Sequence, residues 1–222
     1  MKSFLIELIK KSPKLLLFLG WLYSLNSIFL IRGRRYNKID FNSSFLKNTK
    51  IIIRGKNNIV KIHTENRLRN CLINIIGNNC IVTIGKHCIL ANLEIWIEDD
   101  KGEISIGGNT TVESGHFAAT EGAKISIGEN CMFSNRIEIR NGDSHPIYDL
   151  QSNSKINVAQ NVTVNNNVWL GADVKVLKGA NIGSNSIIGT GSIVTGIVDS
   201  NCIYVGSPAK KVKSSIYWAR HR

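Results

Sequence analysis

The chain is poor in proline (3 residues), in aromatic side chains (7%) and in acid, with 16 Asp and Glu against 28 Lys and Arg. Few aromatics and 19 glycines spread over 222 residues suit many short strands joined by tight turns better than a helical bundle. The shortage of acid leaves a net charge of +12, which points to anionic partners: nucleic acid, an anionic membrane surface, a polyanionic substrate or a phosphate-bearing cofactor. Nucleic acid finds no further support, because no recognised module and no interleaving of basic with aromatic residues accompanies the charge. Paired cysteines are missing too. Cys71, Cys80, Cys88, Cys131 and Cys202 form no CxxC and no metal-type spacing, and an odd count without a framework favours a reducing, cytoplasmic compartment. Several lie in apolar periodic stretches, where a thiol acts as a small hydrophobe.

Residues 1–35 differ from the rest. Lys2, Lys10, Lys11 and Lys14 precede the run LLLFLGWLYSLNSIFLI (15–31), and Arg32, Arg34 and Arg35 follow it. As a signal peptide the run lacks a small-residue cleavage site, and as a membrane span it is short and carries Asn26. An interfacial helix or helical hairpin broken at Pro13 fits better, placing the protein peripherally on the inner face of the plasma membrane. A helical segment packed on the soluble domain or on a neighbouring subunit is the other reading.

From about residue 50 the sequence repeats. Val164, Leu170, Val176, Ile182, Ile188 and Val194 recur every six residues. Four residues after each stands a small or β-branched residue: Val168, Val174, Ala180, Ser186, Ser192 and Val198. A 3.6-residue helix would rotate such a stripe around its surface and a flat strand would alternate every two, so period six specifies a triangular solenoid with six residues per side. Upstream the pattern loosens. VTIG, EISIG and KISIG end at Gly85, Gly107 and Gly128, one coil plus a short insertion apart, and GKNN and GNNC read as corners. The expected domains are the N-terminal segment 1–35, an all-β solenoid over 50–206 and a C-terminal tail over 207–222. Between Ile139 and Val164 the frame breaks, and residues 140–160 are expected as a loop expelled from the solenoid.

Three stretches together resemble a known family: IRNGDSHPIYDL (139–150), NVWLGADVKVLKGANIG (167–183), and IIGTGSIVT from 187 followed by YVGSPAKKVK ending at 213. The combination is similar to bacterial hexapeptide-repeat O-acetyltransferases, most closely those that acetylate capsular polysaccharide, including polysialic acid O-acetyltransferases. The resemblance spans about residues 50–220. It implies a left-handed parallel β-helix, a homotrimer with active sites between adjacent β-helices, and acetyl-CoA as donor. Carried over by motif, His145 is the catalytic base and Trp169 lines the CoA channel. CoA contacts fall to Gly171, Gly189, Thr190, Thr195, Ser207 and Pro208, with Lys210 and Lys211 as phosphate partners. Three positions depart from the family pattern: Ser207 stands for the usual Asn, Asn165 and Asn167 for Gly and His, and Ala172-Asp173 for Arg-Asn.

The residues also speak for themselves. A sugar hydroxyl attacking a thioester needs a base that is neutral near pH 7, which an unperturbed His supplies, and His145 sits in the one long insertion. Backbone N–H groups near Gly171 are expected to hold the oxyanion. Asp143 either orients the imidazole or is a turn residue of Asn-Gly-Asp. Arg140 and Tyr148 either face an acidic glycan acceptor or are structural. Trp169, one position before inward-facing Leu170, should project outward and need a cover, either pantetheine or a trimer neighbour. Lys210 and Lys211 are phosphate partners or a solvated basic tail. His63, His87 and His116 stand far apart in unlike contexts, the last two beside or on inward-type positions, so no metal site is expected. Two other functions compete with acetylation of an anionic surface glycan or its lipid-linked precursor: transfer to a small soluble acceptor such as a free sugar, amino sugar or serine, and a non-catalytic scaffold.

Overall fold

The computed structural model describes residues 30–41 and 43–220, together with Ser12. The readings placed on the apolar run before residue 30, as helix, hairpin or packed segment, lie outside the described residues. From Ile31 the chain winds into three sheets of eight, eight and nine strands, which form the faces of a prism. Face A opens with Ile31–Arg32 and Lys50–Ile53, face B with Lys38–Asp40 and Ile59–Ile62, and face C with Phe45–Lys47 and Arg67–Arg69. Along each face, up to the last strand of face C, successive strands pair in parallel from one coil to the next. This is the all-β, left-handed parallel β-helix expected from the sequence.

Side chains alternate in and out along each short strand, so one or two residues per strand feed the core. On face B the inward residues stack as Ile62, Ile84, Ile106, Ile127, Val164, Ile182 and Val198. On face C they stack as Leu46, Leu68, Leu90, Val112, Phe133, Leu170, Ile188 and Tyr204, each burial contributing about 1.5–3 kcal/mol for the aliphatic members. Between faces B and C a second buried column runs through Ser44, Asn66, Cys88, Thr110, Cys131, Val168, Ser186 and Cys202. These residues plug the corner, where space is small and backbone groups need partners. Asn66 Oδ1 accepts from the Cys88 N–H at 2.7 Å, and the Ser186 hydroxyl donates to the Asp199 carbonyl at 2.7 Å. Burial pushes the thiols of Cys88 and Cys131 up to about 11, so both are inert packing.

Coil length explains why the sequence period is sharp at one end only. In the early coils, partners such as Ile51, Ile73 and Ile95 stand 22 residues apart, so each coil exceeds three hexads. After the loop the step is 18, and in the last coil it is 16. That final shortening moves Val198 out of the small-residue slot the period assigned it and under Ile182 in the aliphatic column. GKNN and GNNC do form corners, with Asn57 and Asn79 left-handed at φ 60° and 56°. A Cβ on Gly107 would lie 2.5 Å from the Gly128 carbonyl carbon of the next coil, so only glycine fits there.

The element boundaries differ from expectation in three places. Coiling starts at Ile31, not 50, because residues 31–49 pair with the following coil. Arg140 is the last residue of strand Ile137–Arg140, so the expelled loop is 141–161. The tail is structured: Lys210–Lys213 adds an antiparallel strand to the end of face C.

Candidate functional site

The loop leaves the solenoid at the corner between faces A and B and is tied down at its root. The Gln160 N–H donates to the Asn141 carbonyl at 2.8 Å, and Glu121 on the preceding coil takes both the Ala159 N–H, at 3.0 Å, and the Lys155 ammonium. Further out, Tyr148 and Lys155 form an antiparallel bridge. Asn157 holds the centre. Its Oδ1 accepts from the Ile147 N–H at 2.6 Å, while its Nδ2 donates at 2.8 Å to both Asp143 Oδ2 and the His145 carbonyl. His145 is thereby fixed at its backbone while its ring stays exposed to solvent.

Asp143 makes no hydrogen bond to the imidazole. Its carboxylate is taken by the Lys178 ammonium at 2.5 Å and by Asn157, and these two partners hold it below the usual carboxylate range. Neither sequence reading of Asp143 anticipated this: it anchors the loop to the coil that follows. Arg140 and Asp143 meet in a cleft of about 290 Å³ on face A, together with Trp96, His116, Ala118 and Gly142. Arg140 Nε is ion-paired with Glu138 Oε1 at 3.0 Å but is out of hydrogen-bonding line, so this buried N–H makes no hydrogen bond. Tyr148 stands outside this cleft, 55% exposed.

Trp169 lies on face C, paired with Met132 below and Ile187 above. It projects outward as expected and is 38% exposed. Part of its cover is one the sequence did not reveal, the chain's own tail. The Trp218 ring sits 6.1 Å from that of Trp169 at 50°, and its indole N–H donates to the Asn167 carbonyl at 2.7 Å. Two residues on, the Arg220 guanidinium donates to Thr111 Oγ1 at 3.0 Å and to the carbonyls of Asn109 and Cys131 at 3.1 and 2.6 Å. Beyond Trp169 a groove of about 760 Å³ continues over Ile89, Thr111, Met132 and Asn135.

The residues expected to touch CoA gather only in part. Gly171 lies against the next coil at Thr190, where an added Cβ would stand 2.7 Å from the Thr190 nitrogen, and Gly189 lies likewise against Val205. Gly171, Gly189, Thr190 and the Gly206-Ser207-Pro208 turn thus stack along the corner between faces C and A. Thr195 lies apart, following strand Ile193–Val194 at the A–B corner. The Gly171 N–H is spent on the Ile188 carbonyl at 2.8 Å, so it does not serve an oxyanion. Lys211 is paired with Asp199 at 2.8 Å, whereas Lys210 is exposed and makes no ion pair among the described residues.

No family model matches the chain. A curated relative, the polysialic acid O-acetyltransferase of Neisseria meningitidis, is 35% identical over 146 residues, which cover 56% of this chain and 68% of that protein. Among solved structures, the polysialic acid O-acetyltransferase OatWY is 33% identical with a TM-score of 0.65, covering 84% of this chain and 89% of that one. The polySia-specific acetyltransferase NeuO is 31% identical with a TM-score of 0.63, covering 84% and 83%. The chain belongs to the hexapeptide-repeat O-acetyltransferases. It is an acyltransferase.

As a hexapeptide-repeat O-acetyltransferase it keeps its two principal motif residues on different parts of the prism. His145 stands at the A–B corner and Trp169 on face C. The positions that depart from the family pattern are accommodated locally. Asn167 takes the left-handed corner at φ 56°, and Asp173, also left-handed, grips Arg136 through two bonds of 2.6 and 2.7 Å. Asn157, Lys178, Trp218 and Arg220 escaped the sequence reading, the first because one Asn in an Asn-rich chain carries no signal. Among the described residues no group of three His, Cys, Asp or Glu gathers as a metal site, and no helix is long and apolar enough to cross a membrane. His87 and His116 lie beside the inward residues Cys88 and Phe117, not on them.

Proposed function

We propose that this hexapeptide-repeat O-acetyltransferase transfers an acetyl group from acetyl-CoA to a sugar hydroxyl of an anionic bacterial surface polysaccharide, or of its lipid-linked precursor, on the inner face of the plasma membrane. The observation that carries the mechanism is the long loop expelled from the coil, which carries an exposed His145 whose backbone is clamped by Asn157. The His145 ring takes the proton from the acceptor hydroxyl as that oxygen forms a bond to the thioester carbonyl carbon. When the C–S bond breaks, the imidazolium returns the proton to the departing CoA thiolate. No covalent enzyme intermediate is needed, because both substrates are held together.

Trp169 and the stacked Gly171, Gly189 and Thr190 are the CoA side of the site, with Lys210 and the Ser207-Pro208 turn beside its phosphates. One chain does not bring this side to His145. The loop of one copy therefore serves the face C groove of a neighbour, which is the reason for a homotrimer. Arg140 faces the acid group of the acceptor. The relatives are named for polysialic acid, which supports an acidic glycan as the acceptor.

Incubation with acetyl-CoA and candidate acidic glycans should release free CoA thiol and yield an O-acetyl ester resolvable by NMR. His145→Ala should lower kcat on the order of 10²–10⁴-fold, the usual contribution of a general base, with KM for acetyl-CoA little changed. A His145→Ala enzyme turning over at the wild-type rate sinks the mechanism. Activity on free sugars or serine with none on glycan would move the acceptor to the small-molecule class, and no thiol release with any acceptor would leave a scaffold.

A further inference from the structure

The net positive charge of this protein is carried by its first 69 residues. Residues 1–69 hold fifteen Lys and Arg against three Asp and Glu, a surplus of 15 − 3 = 12 that equals the net charge of the whole chain. From residue 70 onward thirteen cations meet thirteen anions. Eleven of the fifteen lie on the first two coils, between Arg32 and Arg69, and all eleven are exposed. Among the described residues none of them is in an ion pair, and Glu65, one of the two acids in this stretch, pairs with His87 instead.

We propose that the N-terminal end of the solenoid is a docking surface for anionic lipid, so that the prism stands end-on to a membrane. Placement decides between a membrane and a polyanionic chain. The cations ring the prism: Arg54 leaves face A, Lys38 and Lys61 stand on face B, and Lys47, Arg67 and Arg69 on face C. A glycan chain follows one groove, whereas a flat surface meets the whole rim of an end. At the tip Tyr36 is 53% exposed with Arg35 and Lys56 at 5.2 and 5.3 Å from its ring, an amphipathic aromatic among cations of the kind that sits at headgroup level. The first coil begins at this same end, at Ile31, the last residue of the apolar stretch read in the sequence. The inference extends the membrane placement of the proposed function but rests on the coils, not on that run.

The test uses the full chain and vesicles of phosphatidylcholine with or without phosphatidylglycerol. Substituting Arg34→Gln, Arg35→Gln, Arg54→Gln and Lys56→Gln together should weaken binding to the phosphatidylglycerol vesicles by about fivefold per charge, hence on the order of several hundredfold. Wild-type binding should fall steeply with salt. The same charge removed beyond residue 70, by Lys86→Gln, Lys101→Gln, Lys175→Gln and Lys213→Gln, should leave binding as it was. Equal binding by the first variant and the wild type overturns the inference, as does salt-independent binding equal on both vesicle types, which would assign attachment to the apolar run. Retention on an acidic glycan column that vesicles do not displace would also overturn it. Thiol release with a soluble acceptor should be unaffected by the four N-terminal substitutions, so failure of the acetyltransferase reading is scored separately.

Discussion

Asn157 is the side chain on which the loop turns, because its three hydrogen bonds fix the backbone on both sides of His145. Asn157→Ala leaves the Ile147 N–H and the His145 carbonyl without these partners, at about 1–3 kcal/mol of local free energy, and kcat should fall on the order of 10-fold or more. The Tm should move little, since the coils do not depend on the loop. Asp143→Asn should give a smaller loss with the pH optimum of kcat/KM in place, because Asp143 acts on the loop and not on the ring; a displaced optimum would restore the orienting role. Acid should release the loop. The carboxyls of Asp143 and Glu121 are held below their ordinary values, by Lys178 with Asn157 and by Lys155 with the Ala159 N–H respectively. Their contribution is therefore full above the unfolded carboxylate pKa of about 4 and is lost as pH falls through the lowered folded values, which hydrogen exchange across 143–159 would follow.

Among the elements, the tail differs from the rest in reaching back over several coils at once. Trp218 is only 9% exposed and joins Trp169, so Trp218→Ala should destabilise by about 3 kcal/mol, lower Tm by roughly 5–10 °C and raise KM for acetyl-CoA. Trp218→Phe, which keeps the ring contact and loses the Asn167 bond, should recover most of both. An unchanged KM in the Ala variant, with Trp169→Ala raising it, would confine the tail to a structural role. The sequence showed where coils run without a slip, because an 18-residue step keeps every hexad in phase. It blurred them where 22-residue steps insert extra corner residues, and it misplaced Val198 where the last coil shrinks to 16. Nothing in WAR near the C-terminus marks a strap, since three of its four hydrogen bonds go to backbone carbonyls that any sequence supplies.

For the molecule as a whole, the separation of His145 from Trp169 is what the proposed sharing of each site between two copies answers. Co-expression of His145→Ala with Trp169→Ala chains should yield mixed oligomers with more activity than either variant alone, because some sites then draw an intact loop and an intact groove from different copies. Activity no higher than the sum of the separate variants would place each site within one chain. His145 and Trp169 were legible in sequence because a broken period and an outward Trp are local signals, whereas Lys178 and Arg220 act across gaps that no window spans. Those gaps carry a consequence for biosynthesis. Arg220 grips partners 89, 109 and 111 residues earlier in the chain, so the middle coils of the prism wait for a segment made long after them. The upstream prism can wind as it is translated, each coil templating the next. Its latch closes only once Trp218 and Arg220 have been made, and a chain cut before them would be wound but unlatched.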